Sequence, residues 1–102
     1  MTVLNSLVGL VASDPRTREQ AADELTDQSQ WPPGDALLLC NVLALLRLAE
    51  RDRGAQESQL HAMVELLEGA QAPVFAQEVL RQLGGEIDDP SQLEYLECLL
   101  DQ

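Results

Sequence analysis

The chain has 102 residues, 45% of them hydrophobic, one each of Trp, Tyr and Phe, and a formal net charge of −12. That length suits a single domain with its own core, and the apolar content excludes a disordered chain despite the charge. The charge is uneven: residues 54–102 carry ten acids against Arg81, a net of −9 that attracts basic partners and repels nucleic acid and anionic lipid, and residues 1–53 are −3.

Leu and Ala dominate and β-branched residues are scarce, so the expected fold is all-α, with about six helices in antiparallel pairs. The first spans about residues 2–11, with Val3, Leu4, Leu7, Val8 and Val11 on its apolar face. Asp14-Pro15 opens the second, an N-cap followed by Pro at the first helical position. It runs to about residue 28 on a narrow face of Ala21, Ala22 and Leu25, small enough for a neighbouring helix to approach closely.

Trp31-Pro32-Pro33-Gly34 reads as a loop because prolines cannot continue a helix. Asp35 is expected to cap a third helix over residues 36–52, closed by Gly54. That helix is apolar on nearly every side, so it is either central or presents a surplus face to another chain. The residues that test this are Leu39, Leu43 and Leu46; a homodimer through them is the second functional expectation, and it loses its motive if the first and fifth helices cover them. Asn41 falls between Leu37, Leu45 and Leu48, where a buried amide would specify a helix alignment.

A fourth helix over residues 56–68 points Leu60, Met63, Val64 and Leu67 inward, and Gly69 and Pro73 bracket the next break. The fifth, residues 73–83, buries Phe75, Val79, Leu80 and Leu83 before Gly84-Gly85 ends it. Asp89-Pro90 repeats the earlier start signal, with Gln92 as capping-box partner. Leu93, Leu96, Leu99 and Leu100 form the apolar side of the sixth helix.

Cys40 and Cys98 are too far apart for a disulfide framework or a zinc site and read as buried free thiols in a reducing compartment. Arg47 and Arg51 near Cys40 make a setting that lowers a thiol pKa; an inert thiol is the favoured reading. No base precedes Arg16, so residues 1–12 do not resemble a secretory signal. The longest apolar run, residues 36–49, is too short to span a bilayer. The expectation is a soluble cytoplasmic protein.

The stretch Asp14-Pro15-Arg16-Thr17-Arg18-Glu19-Gln20-Ala21-Ala22-Asp23-Glu24-Leu25 resembles the HEAT repeat. Thr17 departs from its apolar pattern, and near Asp89-Pro90 Leu93 stands where the arginine belongs. The resemblance implies stacked antiparallel helix pairs and a protein-binding role. An ordinary small helical bundle remains the alternative.

No nucleophile or cleft is marked, so no enzyme activity, metal or cofactor is expected. His61 with Glu57 and Glu65 makes an i−4, i, i+4 row, read as a solvated face. Acids near helix C-termini oppose the macrodipole: Asp27, Glu65 and Glu68, then Glu94, Glu97 and Asp101 on one stripe. With Glu86, Asp88 and Asp89 in the loop before the sixth helix, and Tyr95 and Trp31 as anchors, these acids form the expected surface for a basic protein partner. In general character the chain is similar to bacterial immunity proteins, which bind and neutralise toxins or other effectors. The homodimer, as a structural or adaptor module, is the alternative.

Overall fold

A computed structural model describes residues 3–27, 31–68 and 70–100. Thr2 and Gln28, expected helix ends, and Gly69 and Asp101 lie outside them. The described residues form six helices and no strand: α1 (Val3–Leu10), α2 (Pro15–Asp27), α3 (Pro33–Ala49), α4 (Arg53–Leu66), α5 (Val74–Arg81) and α6 (Pro90–Leu99). The all-α expectation holds.

Local chemistry explains most of the boundaries. Asp14 accepts from the Thr17 amide at 3.1 Å and from its hydroxyl at 3.0 Å, which starts α2. Asp89 accepts from Ser91 N and Gln92 N at 2.8 and 3.3 Å, which starts α6. Gln92 does not reach back in a capping box; its side chain turns inward. α3 begins at Pro33, earlier than expected, because Pro at the first position suits a helix start; Asp35 sits in its first turn rather than at the cap. α3 also stops at Ala49, and Asp52 caps α4 by accepting from Ala55 N at 3.0 Å. Gly54 therefore lies inside α4 and terminates nothing.

The helices make two layers. α2, α4 and α6 pack side by side in one row; α3 packs on α4 and α5, and α1 on α2. The three even helices run in the same direction. Arg18 near the start of α2 meets Glu50 just before α4, and Arg53 at the start of α4 meets Asp89 at the start of α6. Each odd helix ends at that same edge, so each pair is antiparallel. Two helix layers about 10 Å apart suit the thin 19 Å dimension of a body measuring 33 × 29 × 19 Å. The core between them centres on Leu10, Leu25, Leu39, Leu43, Leu60 and Leu80, all essentially inaccessible.

The expected close approach at the small residues of α2 is real. A Cβ added at Gly9 of α1 would lie 2.8 Å from the Ala21 Cβ, so only glycine lets these helices touch there. That contact also sets the rotation of α1. Ser6 and Leu10 are buried and Val3 and Leu7 partly so, while Leu4, Val8 and Val11 face solvent, against the expected inward face.

Two further expectations are corrected. Leu39 and Leu43 are fully buried and Leu46 packs on the core, so this side of α3 is not the surplus face. The exposed side carries Leu37, Leu38, Leu45 and Leu48, because α4 and α5 cover one side of α3 and no third layer covers the other. Phe75 is 51% exposed; α5 buries Ala76, Val79 and Leu80, with Leu83 in the following turn.

Candidate partner-binding surface

A polar spine runs along the edge where the even helices begin. The Glu50 carboxylate accepts from Arg18 Nε and NH2 at 2.7 and 2.8 Å, from Gln59 Nε2 at 3.0 Å, and from the amides of Arg51 and Asp52 at 3.2 Å. Arg18 also donates to the carbonyls of Ala12 and Ser13, both at 2.9 Å. The spine continues through Gln56, which donates to Glu50 O at 2.8 Å, and Gln92, which donates to Gln56 Oε1 at 3.2 Å. It ends at Arg47, which donates to Gln92 Oε1 at 2.7 Å. Burial pushes the Arg47 guanidinium pKa down, opposed by the charges of Glu50 and Glu86. Arg47, Glu50, Gln59 and Gln92 are all buried, so this spine ties the three helix pairs together.

The expected acids divide between this edge and the rest of the even layer. Asp89 is engaged in structure: it caps α6 and accepts from Arg53, whose hydrogen bond holds its carboxyl below the ordinary range. Glu86 and Asp88 are exposed on the rim of a cavity of about 150 Å³ floored by Arg47 and Gln92. Its lining sets the Arg47 guanidinium against the carboxylates of Glu50, Glu86, Asp88 and Asp89.

At mid-height α4 and α6 meet through His61 and Tyr95, whose rings stack with centroids 5.2 Å apart. His61 Nε2 lies 3.3 Å from Glu65 Oε1, so the expected Glu-His-Glu face is instead part of a stacked pair. Burial, then the charges of Glu57, Glu94 and Glu65, raise the Tyr95 phenol pKa. Three carboxylates thus lie near enough to act on the phenol of this half-buried ring. No group of three or more His, Cys, Asp or Glu side chains among the described residues is arranged to hold a metal ion.

The far ends of the even helices collect the remaining acids. Asp27 ends α2, Glu65 lies in the last turn of α4 with Glu68 just beyond, and Glu97 is near the end of α6. No base lies in the last turn of any of these helices. Because the helices are parallel, three negative dipole ends of about half a charge each share one edge with these acids. Asp101 falls outside the described residues. Trp31 is half-buried and packed against the core, with its Nε1 buried and without a hydrogen-bond partner, so it is not an outward-facing anchor.

The thiols behave differently from one another. Cys40 is buried, and burial alone pushes its pKa up to about 12. Cys98, expected to be buried, is exposed, since α6 turns Leu96 and Leu99 inward instead. Brief alkylation near about pH 8 is expected to add one label in native buffer and two in urea, read by mass spectrometry. Two labels in native buffer would contradict the burial of Cys40.

The spine residues Arg47, Glu50, Gln59 and Gln92 do not stand out as a group in the sequence. The available signal is a glutamine set into an apolar stripe, as at Gln59 beside Leu60 and Met63. No helix among the described residues is long and apolar enough to cross a membrane. No family model, curated protein or solved structure shows significant similarity to this chain.

Proposed function

We propose that this chain is a protein-binding module whose acidic even-helix layer binds and masks a basic protein partner, in the manner of a bacterial immunity protein neutralising a toxin or effector. One observation carries this reading. Parallel packing of α2, α4 and α6 gathers Asp27, Glu65, Glu68 and Glu97 at one edge, with no compensating base in any last turn. Such an arrangement costs local helix stability and produces a field that steers cationic surfaces. Tyr95, which feels the charges of Glu57, Glu65 and Glu94, supplies an aromatic group within the acidic face. The HEAT-like reading of residues 14–25 belongs to the same proposal, and antiparallel helix pairs fit it and an ordinary helical bundle alike.

The test is affinity co-purification from the native host, using the unaltered chain and a Glu65→Lys, Glu94→Lys, Glu97→Lys triple variant. The unaltered chain is expected to retain a stoichiometric basic protein that weakens as salt rises. The variant is expected to bind at least about 100-fold more weakly. Binding that survives charge reversal at about 0.15 M salt removes the acidic layer from the mechanism.

A further inference from the structure

The two broad faces of this molecule have opposite character. Of the ten exposed large hydrophobic residues among those described, nine lie on the odd helices or directly after one; only Leu93 lies on an even helix. The charges divide the other way. α1 has no charged residue, α3 pairs Asp35 with Arg47, and α5 pairs Glu78 with Arg81, so each odd helix is neutral. The helices α2, α4 and α6 are −2, −1 and −2.

We propose that the odd-helix face is a homodimer interface, with α3 of one copy seated on α3 of a second copy of this chain. Its centre is a continuous surface of Leu37, Leu38, Asn41, Leu45 and Leu48, flanked by Leu4 and Val8 of α1 and by Val74 and Phe75 of α5. Soluble monomers rarely expose so extended an apolar surface.

Charge selects the occupant. Two chains of −12 repel across any acidic surface, and the odd layer is the broad face on which they meet without bringing acidic helices together. A basic partner is drawn to the opposite layer, so the two interactions do not compete. The broad face, 33 × 29 Å in extent, is wide enough to hold an interface of the size that stable complexes bury, about 800 Å² per partner. The groove of about 360 Å³ between α1 and α3 has Leu10, Val11, Leu46 and Ala49 along one part and Arg18, Glu50 and Arg51 along the rest, so it adds only an apolar margin to this face.

Asn41 supports self-association in particular. It lies among these leucines on α3, half-buried, and its Oδ1 is buried in the single chain without a hydrogen-bond partner. Across a two-fold axis through α3, one Asn41 amide faces its symmetry mate, and each donates to the carbonyl oxygen of the other after a side-chain rotation. A single amide in an apolar helix contact fixes alignment and oligomer number.

Sedimentation equilibrium of the full chain at about 100 µM, above the roughly micromolar range of ordinary dimers, tests this. The expected mass is twice the chain's 11.2 kDa. Leu45→Glu is expected to weaken association at least about 100-fold and give the monomer. Glu94→Lys, on the other layer, is expected to leave the dimer intact. The Leu45→Glu chain should keep its helical circular dichroism; if it does not, Leu45→Gln with Leu48→Gln is read instead, with the same expectation. A monomer at about 100 µM, or a dimer that survives loss of these leucines in a folded chain, overturns the proposal. So does a monomer that covers Leu45 only on meeting a different protein.

Discussion

Glu50→Ala is expected to remove about 3–5 kcal/mol of stability, a large share of the about 5–15 kcal/mol available to a domain of this kind. The carboxylate is the junction of the polar spine, with Arg18, Gln59 and two backbone amides all donating to it. Removing it leaves buried donors unpaired between three helices, and desolvated groups without partners cost more than the bonds themselves contribute. Urea unfolding followed by circular dichroism measures the loss. A change below about 1 kcal/mol would mean that the spine is replaced by water at little cost.

The same residue gives the chain an acid-side dependence. The hydrogen bond from Arg18, chiefly, holds the Glu50 carboxyl below its ordinary 4.5, against the opposing effect of burial. The unfolded chain therefore binds this proton more tightly than the folded one. Its stabilisation is complete above pH 4.5 and drains away as the pH falls from there through the lower folded value. Asp89, also depressed by its arginine, acts in the same direction. Relief of repulsion in a −12 chain acts in the opposite one. The difference between the unaltered chain and Glu50→Ala isolates Glu50: it is expected to be constant near neutrality and to shrink below about pH 4.5.

Leu60→Ala should cost about 2–5 kcal/mol. Leu60 is fully buried on α4, the one helix that packs against α2, α3 and α6 together. Its removal opens a cavity that three separate helices would have to move to fill, so collapse is poor and the loss sits in the upper half of that range. Leu45→Ala is the comparison. That side chain is 47% exposed, and in dilute, monomeric chain its loss should change stability by about 0.5 kcal/mol or less. Equal effects at the two positions would mean that the odd layer is covered in the monomer, and would remove the motive for a dimer.

Helix number and class are legible in the sequence because they depend on local chemistry. Asp14-Pro15 and Asp89-Pro90 both start helices here, since the cap and the fixed proline φ act within one turn. Boundaries differ from expectation where two local signals compete. Gly54 reads as a terminator, but Asp52 two residues earlier caps a new helix and draws the glycine into it. Which side of a helix faces inward is the least legible property. In α1 and α3 leucine and valine occupy most of the circumference, so periodicity does not separate core from surface. The Gly9–Ala21 contact decides the first case, and the two-layer packing decides the second.

The −12 charge and its concentration beyond residue 53 belong to the sequence alone, as does the helical class, because neither depends on which residues meet. Tertiary structure decided how that charge is presented. Parallel packing of the even helices brings Asp27 to the same edge as Glu65 and Glu97, although they are far apart along the chain. It also joined Arg18, Glu50, Gln92 and Arg47 into one spine and left the leucines of α3 uncovered on the opposite face. The physical reason is range. Caps and periodicity act over a few residues, whereas electrostatic fields and apolar surfaces depend on contacts between helices tens of residues apart.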